Sequence, residues 1–301
     1  MLLTDFIKKG TAALEPLYPT AEARSIVLIL CEHLIGTRSY THIVEPQYEI
    51  PPKRLPALEA SMDRLRSGEP IQYVVGSTSF CGRDFHVTRD VLIPRPETEL
   101  LVRQAIDVAS IMARSRIPYG KAAEPVRVLD LCTGSGNIAW SVALSVPSSR
   151  VVAVDVSEAA LAVARGQNFV SELKASQSAV APVFVQADIL DTEQEFPYGP
   201  FDLILSNPPY IMESERKDLR RNVVEYEPDS ALFVPDDDPL VFYRAIAAWS
   251  MRLLAPGGVC LTEINELLGK ESEALFRGAG FSDTETVRDF YDKNRFILYK
   301  K

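Results

Sequence analysis

Apolar side chains recur every three or four positions through the first stretch of the chain: Phe6, Ile7, Leu14 and Leu17, then Ile26, Val27, Leu30 and Leu34, then Leu55, Leu58, Met62 and Leu65. That spacing gives each segment one buried stripe and predicts a small all-α domain over residues 1–68. Gly36 ends one helix, Pro51 and Pro52 open another, and Gly68 closes it. The pattern then changes. Ile71–Val75 and Phe85–Thr88 are rich in β-branched and aromatic residues, and Cys81-Gly82-Arg83-Asp84 between them carries turn chemistry, so residues 69–95 read as a β-hairpin linker. Helical spacing resumes through Leu100, Leu101, Ala105, Ile106 and Val108 and opens a second domain, residues 96–301. From Val126 onward short apolar runs alternate with helical ones: 126–131, 151–154, 183–186, 201–206 and 259–263. Such alternation predicts an α/β fold, a doubly wound, mostly parallel sheet with helices on both faces. Residues 284–288 and 296–299 add an antiparallel edge hairpin.

Composition narrows the chemistry. An apolar fraction of 47% in 301 residues suits buried cores, and a formal charge of -9 gives no general attraction to nucleic acid or anionic membrane. No stable nucleic acid partner is expected. Apolar runs fall short of the roughly 20 residues that cross a bilayer, so no membrane association is expected either. Cys31, Cys81, Cys132 and Cys260 lie far apart without a Cys-x-x-Cys pair and read as reduced thiols of a cytoplasmic protein. His33, His42 and His86 are the whole histidine inventory, in no ligand spacing, which argues against a bound metal; no serine sits in a Gly-x-Ser-x-Gly elbow.

The run Val128-Leu129-Asp130-Leu131 leads directly into Cys132-Thr133-Gly134-Ser135-Gly136 and then a helical Asn137-Ile138-Ala139-Trp140. Strand, glycine loop and helix form a nucleotide cradle, because glycines admit a ligand close to the backbone and the helix start offers unpaired N–H groups. Asp155, about 20 residues on, suits the two ribose hydroxyls of an adenine nucleoside. Gly134-x-Gly136-x-x-Ala139 equally satisfies a dinucleotide pattern, so S-adenosylmethionine and a nicotinamide cofactor both remain open here. Asp188, placed for an adenine amino group with Ile189 beside it to pack on the ring, favours S-adenosylmethionine.

Asn207-Pro208-Pro209-Tyr210 follows the 201–206 strand at its carboxyl end, the edge where open α/β sheets bind ligands. A Pro-rich turn is the plain reading. The chemical reading accounts for each residue: an amide or aromatic amino nitrogen has a delocalised lone pair, so an enzyme must hold both N–H bonds and aim the nitrogen. The Asn207 side-chain oxygen and the Pro208 carbonyl supply two acceptors, proline fixes the local backbone, and Tyr210 offers a ring to a flat group.

Pro70-Ile-Gln-Tyr73, Leu92-Ile-Pro-Arg-Pro-Glu-Thr-Glu99, Leu129-Asp-Leu-Cys-Thr-Gly-Ser-Gly136 and Asn207-Pro-Pro-Tyr-Ile211, in this order, closely resemble the HemK family of release-factor glutamine N(5)-methyltransferases, over nearly the whole length. The resemblance implies a class I S-adenosylmethionine methyltransferase, Rossmann-like, that methylates the glutamine of the Gly-Gly-Gln motif in bacterial class I peptide chain release factors. It implies that Cys132, Thr133, Gly134, Ser135, Gly136, Asp155 and Ile189 line the cofactor, that Asn207 touches cofactor and glutamine, and that Pro208, Pro209 and Tyr210 complete the clamp. It also implies that Arg95 and Glu97 brace the site, a salt-bridged helix start being the alternative for these two. Cys132 replaces the usual first glycine of the loop, which the backbone tolerates if that residue needs no positive φ. Glu263-Ile-Asn265-Glu266 lacks the family's glycine after Glu-Ile, and Asp289 to Arg295 only partly follow its ending. An adenine N6-methyltransferase poses the same orientation problem and is the alternative substrate reading; a nicotinamide oxidoreductase and a non-enzymatic binding module are the others. The helical domain is expected to dock the protein substrate.

Overall fold

The computed structural model describes residues 1–116, 124–176, 179–289 and 291–301. By contacts these fall into two compact units, Met1–Ser77 with Leu219–Tyr226, and Thr78–Asp218 with Glu227–Lys301.

The first unit is helical: α1 (Leu3–Leu14), α2 (Thr20–Ile35), α3 (Thr41–Val44), α4 (Leu55–Arg66) and α5 (Ile71–Val75). The three-to-four spacing read from the sequence marks most of its core, since Leu14, Val27, Leu30, Leu58 and Leu65 are fully enclosed, whereas Leu17 lies beyond the end of α1 and is exposed. Burying each such side chain contributes about 1.5–3 kcal/mol. Residues 71–75, read from composition as part of the hairpin, are instead helical. Pro70 stands at the N-cap with its φ already near that of a helix, and Gly76 ends the turn at φ 76, so local caps override β-branched composition. The hairpin is shorter and shifted, β1 (Ser77–Phe80) with β2 (Arg83–His86). Leu219–Tyr226, which holds α10 (Arg221–Tyr226), joins this unit: Tyr226 donates its hydroxyl to the Ser67 carbonyl at 2.9 Å, and Arg220 pairs with Glu22.

The second unit continues with α6 (Thr98–Ser115), β3 (Val126–Leu131), α7 (Asn137–Ser145), β4 (Ser149–Asp155), α8 (Glu158–Arg165), α9 (Val170–Ala175), β5 (Val183–Gln186), β6 (Phe201–Ser206), β7 (Ile211–Met212), β8 (Phe233–Val234), α11 (Val241–Leu253), β9 (Leu254–Glu263), α12 (Gly269–Gly278), β10 (Ser282–Arg288) and β11 (Asn294–Lys300). Seven strands form one sheet in the order β10-β11-β9-β6-β3-β4-β5. The five strands from β9 to β5 are mutually parallel, while β11 runs antiparallel to β9 and β10 to β11. This is the doubly wound sheet with a terminal edge hairpin that the alternation predicts.

Strand periodicity divides the core in two. Val128, Leu203, Leu205 and Leu261 pack with α6 and α7. Leu129, Leu131, Ile204 and Cys260 face the other way, onto Trp249 of α11 and Phe276 of α12. Because the sheet is covered on both faces, ligand access is left at the carboxyl ends of its strands. No helix among the described residues is long and apolar enough to cross a membrane.

Candidate active site

Sheet order lays out the site. At the carboxyl ends of β9, β6, β3, β4 and β5, neighbours in that order, stand Glu263, Asn207, the loop 132–136, Asp155 and Asp188. One cleft of the second unit is lined by Cys132, Thr133, Gly134, Ser135, Asp155, Asp188, Ile189, Asn207 and Pro209, residues that lie up to 77 positions apart. Arg95 lines it too, with Asp90, Val91, Thr98 and Phe242, which motif reading alone does not single out. Gly136, Glu97, Pro208 and Tyr210 are not on the lining. Pro208 is buried, Glu97 is exposed at the start of α6, and Tyr210 packs on the core under α11.

The loop is held by hydrogen bonds to carboxylates. Asp130 is fully buried and accepts from Thr133 Oγ1 at 2.6 Å and from the Ala139 N–H at 3.1 Å; burial pushes its carboxyl up to about 7. Asp155 Oδ2 accepts from the Gly134 N–H at 2.8 Å and Oδ1 from the Ser157 N–H at 3.0 Å, against a burial that raises its pKa. Gln167 donates to the Ser135 carbonyl at 3.1 Å and exchanges hydrogen bonds with the His86 backbone, tying the loop to β2. Gly136 has φ 78, and a Cβ there would lie 3.0 Å from Ala164 Cβ and 3.1 Å from Trp140 Cδ1.

Cys132 corrects the sequence reading. Its φ is 60, inside the left-handed region, so the residue does occupy a glycine-type conformation. The turn demands it, because the next N–H, of Thr133, must reach the Val154 carbonyl at 2.9 Å. A side chain there costs about 1–2 kcal/mol. Burial, then the carboxylates of Asp155 and Asp130, push the thiol well above its usual range, so Cys132 stays protonated and is no nucleophile.

At the other end, Asn207 Nδ2 donates to Thr98 Oγ1 at 3.1 Å, Thr98 donates to Glu263 Oε2 at 2.7 Å, and Tyr210 donates to Glu263 Oε1 at 2.9 Å. Glu263 is 3% exposed, and burial raises its carboxyl to about 7 against the pull of those two hydroxyls. Arg95 Nη2 pairs with buried Glu227 at 2.7 Å, whose second oxygen accepts from the Ile93 N–H at 3.1 Å. The linker is thereby fastened to the segment that leads to Pro228. Asn265, where the resemblance leads one to expect glycine, has φ -60, a value any residue adopts. Its amide donates to the Tyr210 carbonyl at 3.0 Å and to Glu215 at 2.9 Å, bracing the Asn-Pro-Pro-Tyr run from behind. Asp289 accepts from Arg295 Nε at 2.7 Å; residue 290, within the other departure, lies outside the described residues.

The arrangement offers a backbone cradle with two acids at one end of a cleft and a fixed amide at the other. Among known proteins, a family model described as the PrmC N-terminal domain matches residues 5–76, and one described as the methyltransferase small domain matches residues 100–228. A release factor glutamine methyltransferase of Flavobacterium psychrophilum is 34% identical over 304 residues, covering 99% of this chain and 98% of its own length. Its counterpart in Bacteroides thetaiotaomicron is 34% identical over 299 residues, 98% of each. The solved protein-(glutamine-N5) methyltransferase (release factor-specific) of Alicyclobacillus acidocaldarius is 30% identical, with 72% of this chain and 99% of that one covered and a TM-score of 0.40.

Proposed function

The chain belongs to the release factor glutamine methyltransferases, and from that premise we propose that it moves a methyl group from S-adenosylmethionine to the side-chain amide nitrogen of the Gly-Gly-Gln glutamine in bacterial class I peptide chain release factors. The observation that carries the reading is the Asn207 amide on the cleft lining: one N–H of Nδ2 donates to Thr98, which fixes the amide plane, and Oδ1 is an acceptor that no described residue takes up.

The residues at the cradle fit the cofactor. The N–H groups where α7 begins suit its carboxylate, Asp155 its ribose hydroxyls, Asp188 its adenine amino group, and Ile189 the adenine ring. Ile189 is buried and its carbonyl accepts from Trp249 Nε1 at 3.0 Å, which fixes that wall. When bound, the cofactor supplies a methyl group on a sulfonium, already an excellent leaving group. What remains for the protein is orientation. We assign Asn207 Oδ1 and the backbone carbonyl of Pro208 to the two N–H bonds of the glutamine amide, which aims its nitrogen; as the N–C bond forms, one of those protons passes to solvent water. Holding reactants in such geometry contributes on the order of 7–11 kcal/mol, so no strong base is required before transfer. We assign docking of the protein substrate to the helical unit, since binding energy remote from the reacting atoms is what a single glutamine lacks.

The test is transfer of labelled methyl from S-adenosylmethionine to a purified bacterial release factor, beside its Gln-to-Ala variant at Gly-Gly-Gln and beside nucleic acid. Label on the wild-type factor alone is the expected result. Label on nucleic acid instead keeps the site and overturns the substrate.

A further inference from the structure

We propose that Thr98 and Glu263 are positioning residues for this reaction: they fix the direction of a hydrogen-bond chain that turns the oxygen of the Asn207 amide, and not its nitrogen, toward the substrate. The inference rests on the methyl-transfer reading and deepens it.

An asparagine amide is nearly symmetric in shape but opposite in function at its two ends, since Oδ1 only accepts and Nδ2 only donates. A substrate NH2 group is held by Oδ1. A half-turn of the amide plane would present a donor to a donor, so the site needs something that chooses between the two settings. The choice begins at Glu263, enclosed at the end of β9. Each of its oxygens receives one hydroxyl, Oε2 from Thr98 and Oε1 from Tyr210. An ionised carboxylate can only accept, so the single Thr98 proton is committed to it. The Thr98 oxygen then meets Asn207 with lone pairs alone. Only Nδ2 can answer at 3.1 Å, and Oδ1 makes no hydrogen bond among the described residues. The direction of each link follows from the one before it. Tyr210, anchored in the same way, acts here through its hydroxyl.

Protonation of Glu263 undoes this logic. In the acid whose proton sits on Oε2, that proton points at Thr98, whose own proton turns to Asn207, and the amide then presents Oδ1 inward and Nδ2 to the cleft. The charged and titratable groups facing Glu263 are Glu97 before α6, Arg295 of β11, Tyr210 after β6 and Tyr243 of α11. Burial is nevertheless the largest influence and sets the transition at about 7.

The experiment compares full-length wild type with Thr98→Val, Thr98→Ser and Glu263→Gln, measuring kcat for methylation of a release factor, its pH profile and the affinity for S-adenosylmethionine. Thr98→Val, which keeps the shape and loses the hydroxyl, is expected to lower kcat on the order of 10- to 100-fold with cofactor affinity within about twofold, and Thr98→Ser to restore most of it. Wild-type kcat falls on the acid side of about 7, and Glu263→Gln, which cannot take up the proton, loses that fall. A Thr98→Val enzyme with wild-type kcat overturns the proposal, as does an acid limb that persists unchanged in Glu263→Gln; the second comparison decides if Thr98→Val fails to fold. Failure of the wild type to methylate any release factor is a separate outcome and overturns the functional reading itself.

Discussion

Two buried carboxylates stand behind the cleft, one under each end. Burial raises both to about 7, yet they are wired differently. Asp130 serves the chain just after itself: Thr133 Oγ1 and the Ala139 N–H share one oxygen, and the other oxygen has no partner among the described residues. Glu263 serves side chains 165 and 53 positions away, one on each oxygen. Asp130 shapes a backbone; Glu263 sets the directions of side-chain hydrogen bonds. The difference teaches that the proposed cofactor end is made by local chain geometry, whereas the proposed substrate end is made by tertiary contacts.

The largest effect should come where that second end is cut. Asn207→Ala is expected to lower kcat on the order of 10²–10³-fold in single-turnover assays, with melting temperature and cofactor binding retained. Wild-type turnover by this variant would remove the functional half of the comparison. Gly136→Ala attacks the other end through the backbone. A methyl at φ 78, 3.0 Å from Ala164 Cβ and 3.2 Å from Phe184 Cε1, should destabilise the fold by about 2–4 kcal/mol in urea denaturation. An unchanged midpoint would mean that the loop is not defined by its backbone.

A pH series separates the two acids. For each, the folded pKa of about 7 lies above the ordinary 3.8 or 4.5, so the folded state holds its proton more tightly. The resulting stability is fully present below the ordinary value and is lost as pH rises through about 7. Asp130→Asn and Glu263→Gln escape that loss, and the stability of each relative to wild type should rise between pH 5 and pH 7 and level off above. Only Glu263→Gln should also alter the acid limb of kcat. The smallest effect concerns Cys132: at φ 60, Cys132→Gly should be more stable than Cys132→Ala by about 1 kcal/mol, reversing the usual order. Equal denaturation midpoints would place the strain elsewhere.

The same contrast explains what the sequence makes legible. The parallel strands, the glycine loop and the Asn-Pro-Pro-Tyr run are local patterns, and sheet topology carries Asp155, Asp188 and Asn207 to one edge without further information. Thr98 and Glu263 are visible as residues but not as partners, because nothing local joins the start of a helix to the end of a strand 165 positions on. Ile71–Val75 misleads for the opposite reason: its composition favours a strand, and single residues at its two ends, Pro70 and Gly76, decide for a helix. Likewise no periodicity announces that Tyr226 answers Ser67 across 159 positions.

That last contact has a consequence for how the protein is built and rebuilt. Leu219–Tyr226 belongs to the helical unit, yet it is an excursion from the middle of the second unit, which pairs its own chain on either side at Ile211↔Phe233 and Met212↔Val234. The units are therefore nested along the chain and not consecutive. As the chain emerges from the ribosome, the helical unit lacks the Tyr226 hydroxyl on Ser67 and the Arg220 partner of Glu22 until residue 226 has been added. A chimera that exchanges the helical unit between relatives must carry two pieces of sequence, and a fragment cut after Ser77 lacks the Leu219–Tyr226 segment of the unit it is meant to isolate.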